Sequence, residues 1–390
     1  LKETATTHRL DRLLLLGYLA FLVYASLYPI TALRFPDENP FSLLFGRRAI
    51  SRTDALTNLL VYLPLGFLLA RLSSGKMVWR AALFGSALSL LIEYLQAFIP
   101  GRVPSVFDWG LNVAGTFLGA GLAARAGRIP WPAVDAVLEE GTTSRLGLAA
   151  VATWAAAQLF PFVPSADVDN LKEGLRPIWD VVRGQVPFSI SQTLVYLLAA
   201  LSLSWILARC FRPGRLPRAV IPVFFLVVLL AKVPILTRQL GLEALAGAAA
   251  GLAICSRLDD SDAKAVPFLA ATGAYVVDAL RSEADGSLHP LNWIPFRTHL
   301  SNELIGASDI LAGAWPLLAL AFIVQRRSSS DPRRVALLGA AVVFTGAMAL
   351  EWVQQFVPGR TPDVTDALIA LAAWLLPWLA SDSPAHQPDR

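Results

Sequence analysis

Three stretches of this chain, residues 13–33, 146–166 and 184–208, contain no charged side chain over 21, 21 and 25 residues. A helix needs about 20 apolar residues to cross a bilayer, since each residue advances it by about 1.5 Å. The runs are continuous and rich in Leu and Ala, without the alternation of a barrel strand. They therefore predict helices, which satisfy their own backbone groups in lipid. Composition agrees, because 55% of the 390 residues are hydrophobic and 16% are charged, against about 25% charged in an ordinary soluble domain.

Further spans are predicted near 54–71, 79–99, 108–125, 217–236, 239–256, 264–281, 308–325, 334–357 and 365–380. The expected fold is an all-α polytopic membrane bundle of about 12 transmembrane helices. Lys232 and Glu243 interrupt the pair between 217 and 256, where a re-entrant or interfacial arrangement fits as well. The first run begins too far in and lacks a small-residue cleavage site, so it reads as a retained helix and not as a signal peptide. With a cytoplasmic N-terminus, 20 of the 33 Lys and Arg fall on the cytoplasmic side. The positive-inside rule then predicts both termini on the cytoplasmic side. The net charge of +4 is explained by that topology, and no nucleic acid partner is expected. His8, His289, His299 and His386 form no metal-ligand spacing, and no nucleotide fingerprint occurs, so neither metal nor cofactor is expected.

The chain also repeats itself. EYLQAFIPGRVPSVFDWG at 93–110 and EWVQQFVPGRTPDVTDAL at 351–368 match at nine of 18 positions with a constant offset of 258. The identities include Glu93/Glu351, Gln96/Gln354, Arg102/Arg360 and Asp108/Asp366. The organisation predicted is an N-terminal membrane domain at 1–128, a middle helical region at 129–263 and a diverged C-terminal copy at 264–390. Over 12 spans the two copies are parallel, with both turns on the outer face.

Each copy reads as an apolar helix ending in Glu-x-x-Gln, a Pro-Gly-Arg-x-Pro turn and a new helix just after an Asp. Glu93 and Gln96 share a helix face, and Glu93 lies about 10 Å of helix length below Pro100. A carboxylate at that depth must face a partner or water inside the bundle. Pro100 and Pro104 stiffen the turn and hold Arg102 near the helix ends, while Asp108 can cap the next helix. Asn112 follows one turn later. Asp54 and Asn58, four apart, face the same way at the head of the second helix, and Pro64 bends it. Asp309 and Pro316 stand loosely alike in the late half. Asn112, Gly115 and Gly119 become Ala370, Ala373 and Pro377 there, which makes the early copy the better candidate for an intact site.

The ordered set Asp54-x-x-x-Asn58, Tyr62-Leu-Pro64-Leu-Gly66, Glu93-x-x-Gln96, Pro100-Gly-Arg102, Asp108 and Asn112-Val-Ala-Gly115, with Gly119 one turn on, resembles the VanZ-like family of bacterial membrane proteins. The resemblance covers residues 13–125 well and 265–380 in part. The family takes its name from an accessory protein of glycopeptide resistance that lowers sensitivity to teicoplanin. What it implies is a setting in the cell envelope, with no catalytic activity attached.

The candidate binding residues are Asp54, Asn58, Glu93, Gln96, Arg102, Asp108 and Asn112, with Glu351, Gln354, Arg360 and Asp366 in the second copy. One account makes them an ion-pair and capping network that fixes a hairpin. The other makes them functional, as ionisable residues inside membranes commonly are. On the functional account the leading expectation is binding of an amphipathic envelope lipid or glycolipid headgroup at the extracytoplasmic leaflet, with a possible effect on glycopeptide susceptibility. Arg102 would hold phosphate or carboxylate, and Gln96 and Asn112 would orient sugar or amide groups. The alternatives are an enzyme modifying a lipid-linked precursor, with Glu93 or Asp108 as proton acceptor and Arg102 as stabiliser, and a lipid or solute transporter. Gly115-x-x-x-Gly119 reads as a helix-packing motif. Trp109, Trp293, Trp315 and Trp352 read as interface anchors.

Overall fold

The computed structural model describes residues 2–28, 34–36, 39–46, 52–73, 78–100, 102–126, 142–165, 167–212, 216–217, 219–258, 265–282, 286–301, 303–328 and 330–380. For 2–10, 13, 41, 52–54, 126, 142–143, 301, 303–305 and 380 it describes the backbone alone. Among the described residues there are fifteen helices and no strand. They are α1 (Lys2–Leu27), α2 (Pro40–Leu44), α3 (Arg52–Leu72), α4 (Val78–Gln96), α5 (Val106–Ala126), α6 (Thr142–Leu159), α7 (Val168–Val182), α8 (Ile190–Cys210), α9 (Val220–Ala231), α10 (Leu242–Cys255), α11 (Val266–Ala279), α12 (Arg297–Ser301), α13 (Glu303–Arg327), α14 (Pro332–Gln354) and α15 (Val364–Ala380).

Each of the twelve predicted segments contains a helix, but five helices are both long and apolar enough to cross a membrane: Ala55–Leu72, Val78–Gln96, Ile190–Cys210, Gly306–Arg327 and Pro332–Gln354. The others fall short for two reasons. The apolar stretches Leu14–Leu27, Val220–Ala231, Leu242–Cys255, Val266–Ala279 and Val364–Leu379 have 10–17 residues. The 12 residues of α9 make about 18 Å of helix, against about 30 Å of hydrocarbon. By contrast α5 and α6 are long enough but carry polar residues such as Asp108, Asn112, Thr116 and Gln158. Residues 29–33, the end of the first predicted span, lie outside the described residues.

Helix α7 occupies the stretch between two of the uncharged runs, where no span is predicted. Its apolar residues Leu171, Leu175, Ile178 and Val182 recur at spacings of three and four, with charges on the other face. That pattern builds an amphipathic helix, and a search for uncharged runs passes over it.

The chain forms two compact units, Leu1–Trp131 and Pro132–Arg390. The segments predicted as a middle region and a C-terminal domain thus fall within one unit. In the first unit α5 runs along α3 and α4, and α1 packs on α3 and α4. The closeness of α3 and α5 comes from three glycines. A Cβ on Gly66 would lie 1.9 Å from Thr116 O, on Gly115 2.2 Å from Leu59 O, and on Gly119 1.9 Å from Leu63 O. The packing role expected of Gly115 and Gly119 is thereby accounted for. Leu22, Tyr62, Leu65 and Ile92 form the main apolar cluster of this unit.

In the second unit α8 packs on α10 and α11, α13 on α6 and α15, and α14 on α15. Its core centres on Trp154, Phe225 and Phe322, with Leu203, Ile206 and Leu229. Trp315 lies in that core at 5% exposure, so it is not an interface anchor: α13 begins at Glu303, which puts residue 315 at the middle of the helix and not at an end. Trp293 and Trp352 are exposed, and Trp109 donates to Ser86 O at 3.2 Å.

Candidate functional site

In the first unit the polar turn is organised by Glu93. Buried at 4% exposure, it accepts the Ser105 backbone N–H on Oε2 at 2.8 Å. This bond ties the end of α4 to the start of α5. Ser105 occupies the capping position of α5 and accepts from Asp108 N at 3.4 Å. The helix opens before Asp108, so Asp108 lies in its first turn and is not the cap. Gln96 donates to Ser26 O at 2.8 Å, and Arg102 donates through Nη2 to Tyr28 O. Both side chains thus go to the C-terminal end of α1, where unpaired carbonyls and the negative end of the helix dipole favour donors and cations. Asn112, one turn after Asp108, donates to Ser89 Oγ on α4 at 2.9 Å. Its Oδ1 has no hydrogen-bond partner among the described residues. Asn58 is half-buried, and the side chain of Asp54 lies outside the described residues.

The second unit repeats the central bond. Glu351, 2% exposed, accepts the backbone N–H of Asp363 at 2.8 Å, and Asp363 stands 258 residues after Ser105. Asp363 takes the capping role, accepting from Thr365 N at 2.8 Å. Arg360 donates to Ala279 O at 2.9 Å and to Asp278 O, so it too closes the C-terminus of a helix, here α11. Gly359 has φ +79°, a left-handed backbone that favours glycine. A strap over 287–296 is pinned along this turn by Gly359 N to Ser287 O at 2.7 Å, Asn292 N to Pro362 O at 2.9 Å and Val364 N to Asn292 O at 3.0 Å. Gln354 departs from its counterpart, folding back to donate to Glu351 Oε1 at 2.8 Å.

Beside this turn lies a cavity of about 600 Å³, with walls from α6, α8, α11, α12, α13, α14 and α15. Glu351, Gln354, Arg360 and Asp366 all line it. So do residues that the sequence did not single out for a site. His299 on α12, 8% exposed, faces Asp366, with Nε2 to Oδ1 at 3.4 Å. Its Nδ1 has no hydrogen-bond partner among the described residues. Burial alone would lower the histidine pKa. The Asp366 carboxylate, helped by Asp363 and Asp309, outweighs it and holds the imidazole above its usual range. For Asp363 the balance runs the other way. Burial raises it, but donors from Thr298, Thr365 and Asn292 hold it below the ordinary carboxylate value. Asp309, Lys232 and Arg238 complete the ionisable lining, together with Asp278 and Arg281, which pair at 3.5 Å.

These positions were hidden for a physical reason. Lys232 and Arg238 follow the short helix α9; Lys232 read as an interruption of a span and Arg238 fell between two spans, while His299 stood as one of four scattered histidines. Only tertiary packing brings them to the Glu351 turn. Among the described residues no group of three or more His, Cys, Asp or Glu could hold a metal ion.

A model of the VanZ/LLP1 family matches residues 13–127, which is nearly the whole first unit. Over this stretch the unit is similar to that family, and the match spans the Glu93 turn and the α3–α5 contact. Neither the curated proteins nor the solved structures contain a match to this chain.

Proposed function

We propose that this chain is a multi-pass protein of the bacterial cytoplasmic membrane that binds the polar headgroup of an amphipathic cell-envelope lipid or glycolipid at the extracytoplasmic leaflet. On this reading the two turns descend from one duplicated VanZ-like domain, and the headgroup enters the cavity of the second unit. The observation that carries the reading is that cavity. It is lined by Lys232, Arg238, His299, Asp309 and Glu351, yet it is set among apolar helices such as α14, whose Leu337, Leu338 and Val342 are exposed. Buried charge is costly unless something solvates it. A headgroup with hydroxyl, amide and phosphate groups meets that need while its chains lie along exposed apolar helix. Arg102 and Gln96 each give one donor to the end of α1, and this reading assigns the headgroup to the cavity and not to them.

The test is lipid content. Gly313 lines the cavity, and a Cβ there would meet only Ile369 Cγ2 at 3.7 Å, so Gly313→Phe should fill space without displacing backbone. Wild-type protein purified in mild detergent should retain a lipid that mass spectrometry of the extract identifies, and Gly313→Phe should lose it. Equal lipid in both preparations would refute the reading.

A second reading, an enzyme acting on that headgroup, is favoured by the His299–Asp366 pair. A cavity-lining imidazole held by a carboxylate can transfer protons, whereas Glu93 is bound to a backbone N–H. An unchanged envelope-lipid profile in cells carrying His299→Gln would count against it.

A further inference from the structure

Lys232 is 7% exposed. Its ammonium donates to Tyr196 Oη at 2.9 Å and to Gln158 Oε1 at 3.2 Å, and it lies 5.4 Å from the centre of the Tyr196 ring. Tyr196 Oη in turn donates to Gln158 Oε1 at 3.0 Å. Both partners are neutral. Among the described residues no carboxylate makes an ion pair with Lys232. An ammonium carries three donors, so one is left after these two bonds, and Lys232 lines the cavity.

The position is also constructed. Lys232 directly follows α9, where its charge is favoured by the negative end of the helix dipole. That accounts for a cation near the helix end. It does not account for burying the ammonium against two neutral groups, when a lysine stem can carry its head to water. Arg238 lines the same cavity, six residues on, with Nε held by Phe160 O. Two cations therefore stand on the wall made by α6, α8 and the segment after α9. The carboxylates Glu351, Asp363 and Asp366 have their own donors across the cavity, from Gln354 and the Asp363 N–H, from Thr365 and Asn292, and from His299. Of the facing acids, Asp309 is met by Ser308 Oγ at 3.4 Å and lies within electrostatic reach of Arg238.

From this arrangement we infer that Lys232, with Arg238, forms an anion subsite in the second-unit cavity, and that the group it takes is a phosphate ester or free phosphate. This inference rests on the cavity being the headgroup site, and adds that the headgroup is bound through its phosphate. An oxyanion supplies the charge that neither Gln158 nor Tyr196 can, and it accepts the remaining ammonium donor together with guanidinium donors of Arg238. Tyr196 and Gln158 hold the lysine in place, and the acidic wall is left for hydroxyl or amide groups of the same ligand.

The experiment uses the full chain in neutral-lipid nanodiscs, with wild type, Lys232→Met, Lys232→Arg and Gly313→Phe. The probes are short-chain phosphatidic acid, the matching diacylglycerol and inorganic phosphate. Wild type should bind phosphatidic acid at least about tenfold more tightly than diacylglycerol, the size expected of a charge-assisted bond. Lys232→Met should lose that preference and Lys232→Arg should keep part of it. Removal of a buried charge should leave ligand-free Lys232→Met as heat-resistant as wild type or more so, which separates lost binding from lost folding. If inorganic phosphate raises Tm in a Lys232-dependent way and phosphatidic acid adds nothing, the subsite takes free phosphate and the lipid reading fails while the anion site stands. If both lipids bind equally and Gly313→Phe abolishes both, the headgroup reading stands and the anion subsite is overturned. A phosphate preference unaltered in Lys232→Met overturns it as well, as does binding of neither phosphate probe.

Discussion

The two polar turns share one carboxylate bond but differ in what surrounds it. In the first unit Gln96 and Arg102 each donate to a carbonyl at the end of α1, and Asn112 is held by Ser89. In the second, Gln354 folds back on its own Glu351, Arg360 alone closes α11, and the turn borders a cavity with His299, Asp309 and Lys232. The motif itself is thus a device for joining two helices. In the second unit neighbouring helices stand off from it and leave a cavity lined by ionisable residues. The turn outside the stretch matched by the family model is the one that lines this cavity.

The largest effect that can break this comparison concerns packing. Gly119→Leu should destabilise the first unit by about 3 kcal/mol or more, because its Cβ would meet an immovable backbone carbonyl. Gly121→Leu, with nothing within 4 Å of its Cβ, should stay within about 0.5 kcal/mol. Thermal unfolding of the two variants checks this, and equal losses would contradict the close approach of α3 and α5. Next comes the shared bond. Glu93→Ala and Glu351→Ala each strand a buried backbone N–H and should cost about 1–3 kcal/mol. Glu93→Gln and Glu351→Gln keep an acceptor and should cost less. Of these two, only Glu351→Gln should reduce lipid retention, and loss of lipid in Glu93→Gln would move the site to the first unit.

The smallest effect is a pH dependence. The pKa of His299 is raised above its ordinary 6.5 by Asp366 and its neighbours. Protonation therefore contributes stability that is fully present below about pH 6.5 and is lost as pH rises through the folded-state value. Unfolding of wild type should show this decline on the alkaline side, and His299→Gln should flatten it. The single histidine of the first unit is His8, so no such decline is expected from the Glu93 turn. A profile in His299→Gln identical to wild type would show that the pair with Asp366 carries none of the dependence.

Much of the architecture was legible because lipid-compatible helices announce themselves in uncharged runs, and the repeated 18 residues located both turns. Glu93 and Glu351 were rightly placed as buried groups that need partners. What could not be read was which partner each donor takes. Arg102 lies beside Glu93 in the motif, but a guanidinium reaches several groups, and the carbonyls ending α1 are supplied by residues about 75 positions away in sequence. Asp108 was expected to cap its helix because the motif ends on it, whereas the helix begins just after Ser105. The length of α9 was overestimated because apolar character continues past Ala231, while Pro234 and the buried Lys232 stop the helix before the apolar run ends. His299 and Lys232 carried no local pattern, since each is a single polar residue whose meaning comes from a cavity built by seven helices.

The glycine contacts of the first unit also decide how it can move. With carbonyls of α3 seated where side chains of α5 would otherwise stand, neither rod can roll about its axis without driving a β-carbon or a flank of its neighbour into backbone. The pair shifts as one plank. Helix α4 is seated on the same plank through Gly85, whose Cβ would lie 2.4 Å from Thr116 Oγ1, whereas α1 is tied to the turn by the hydrogen bonds of Gln96 and Arg102.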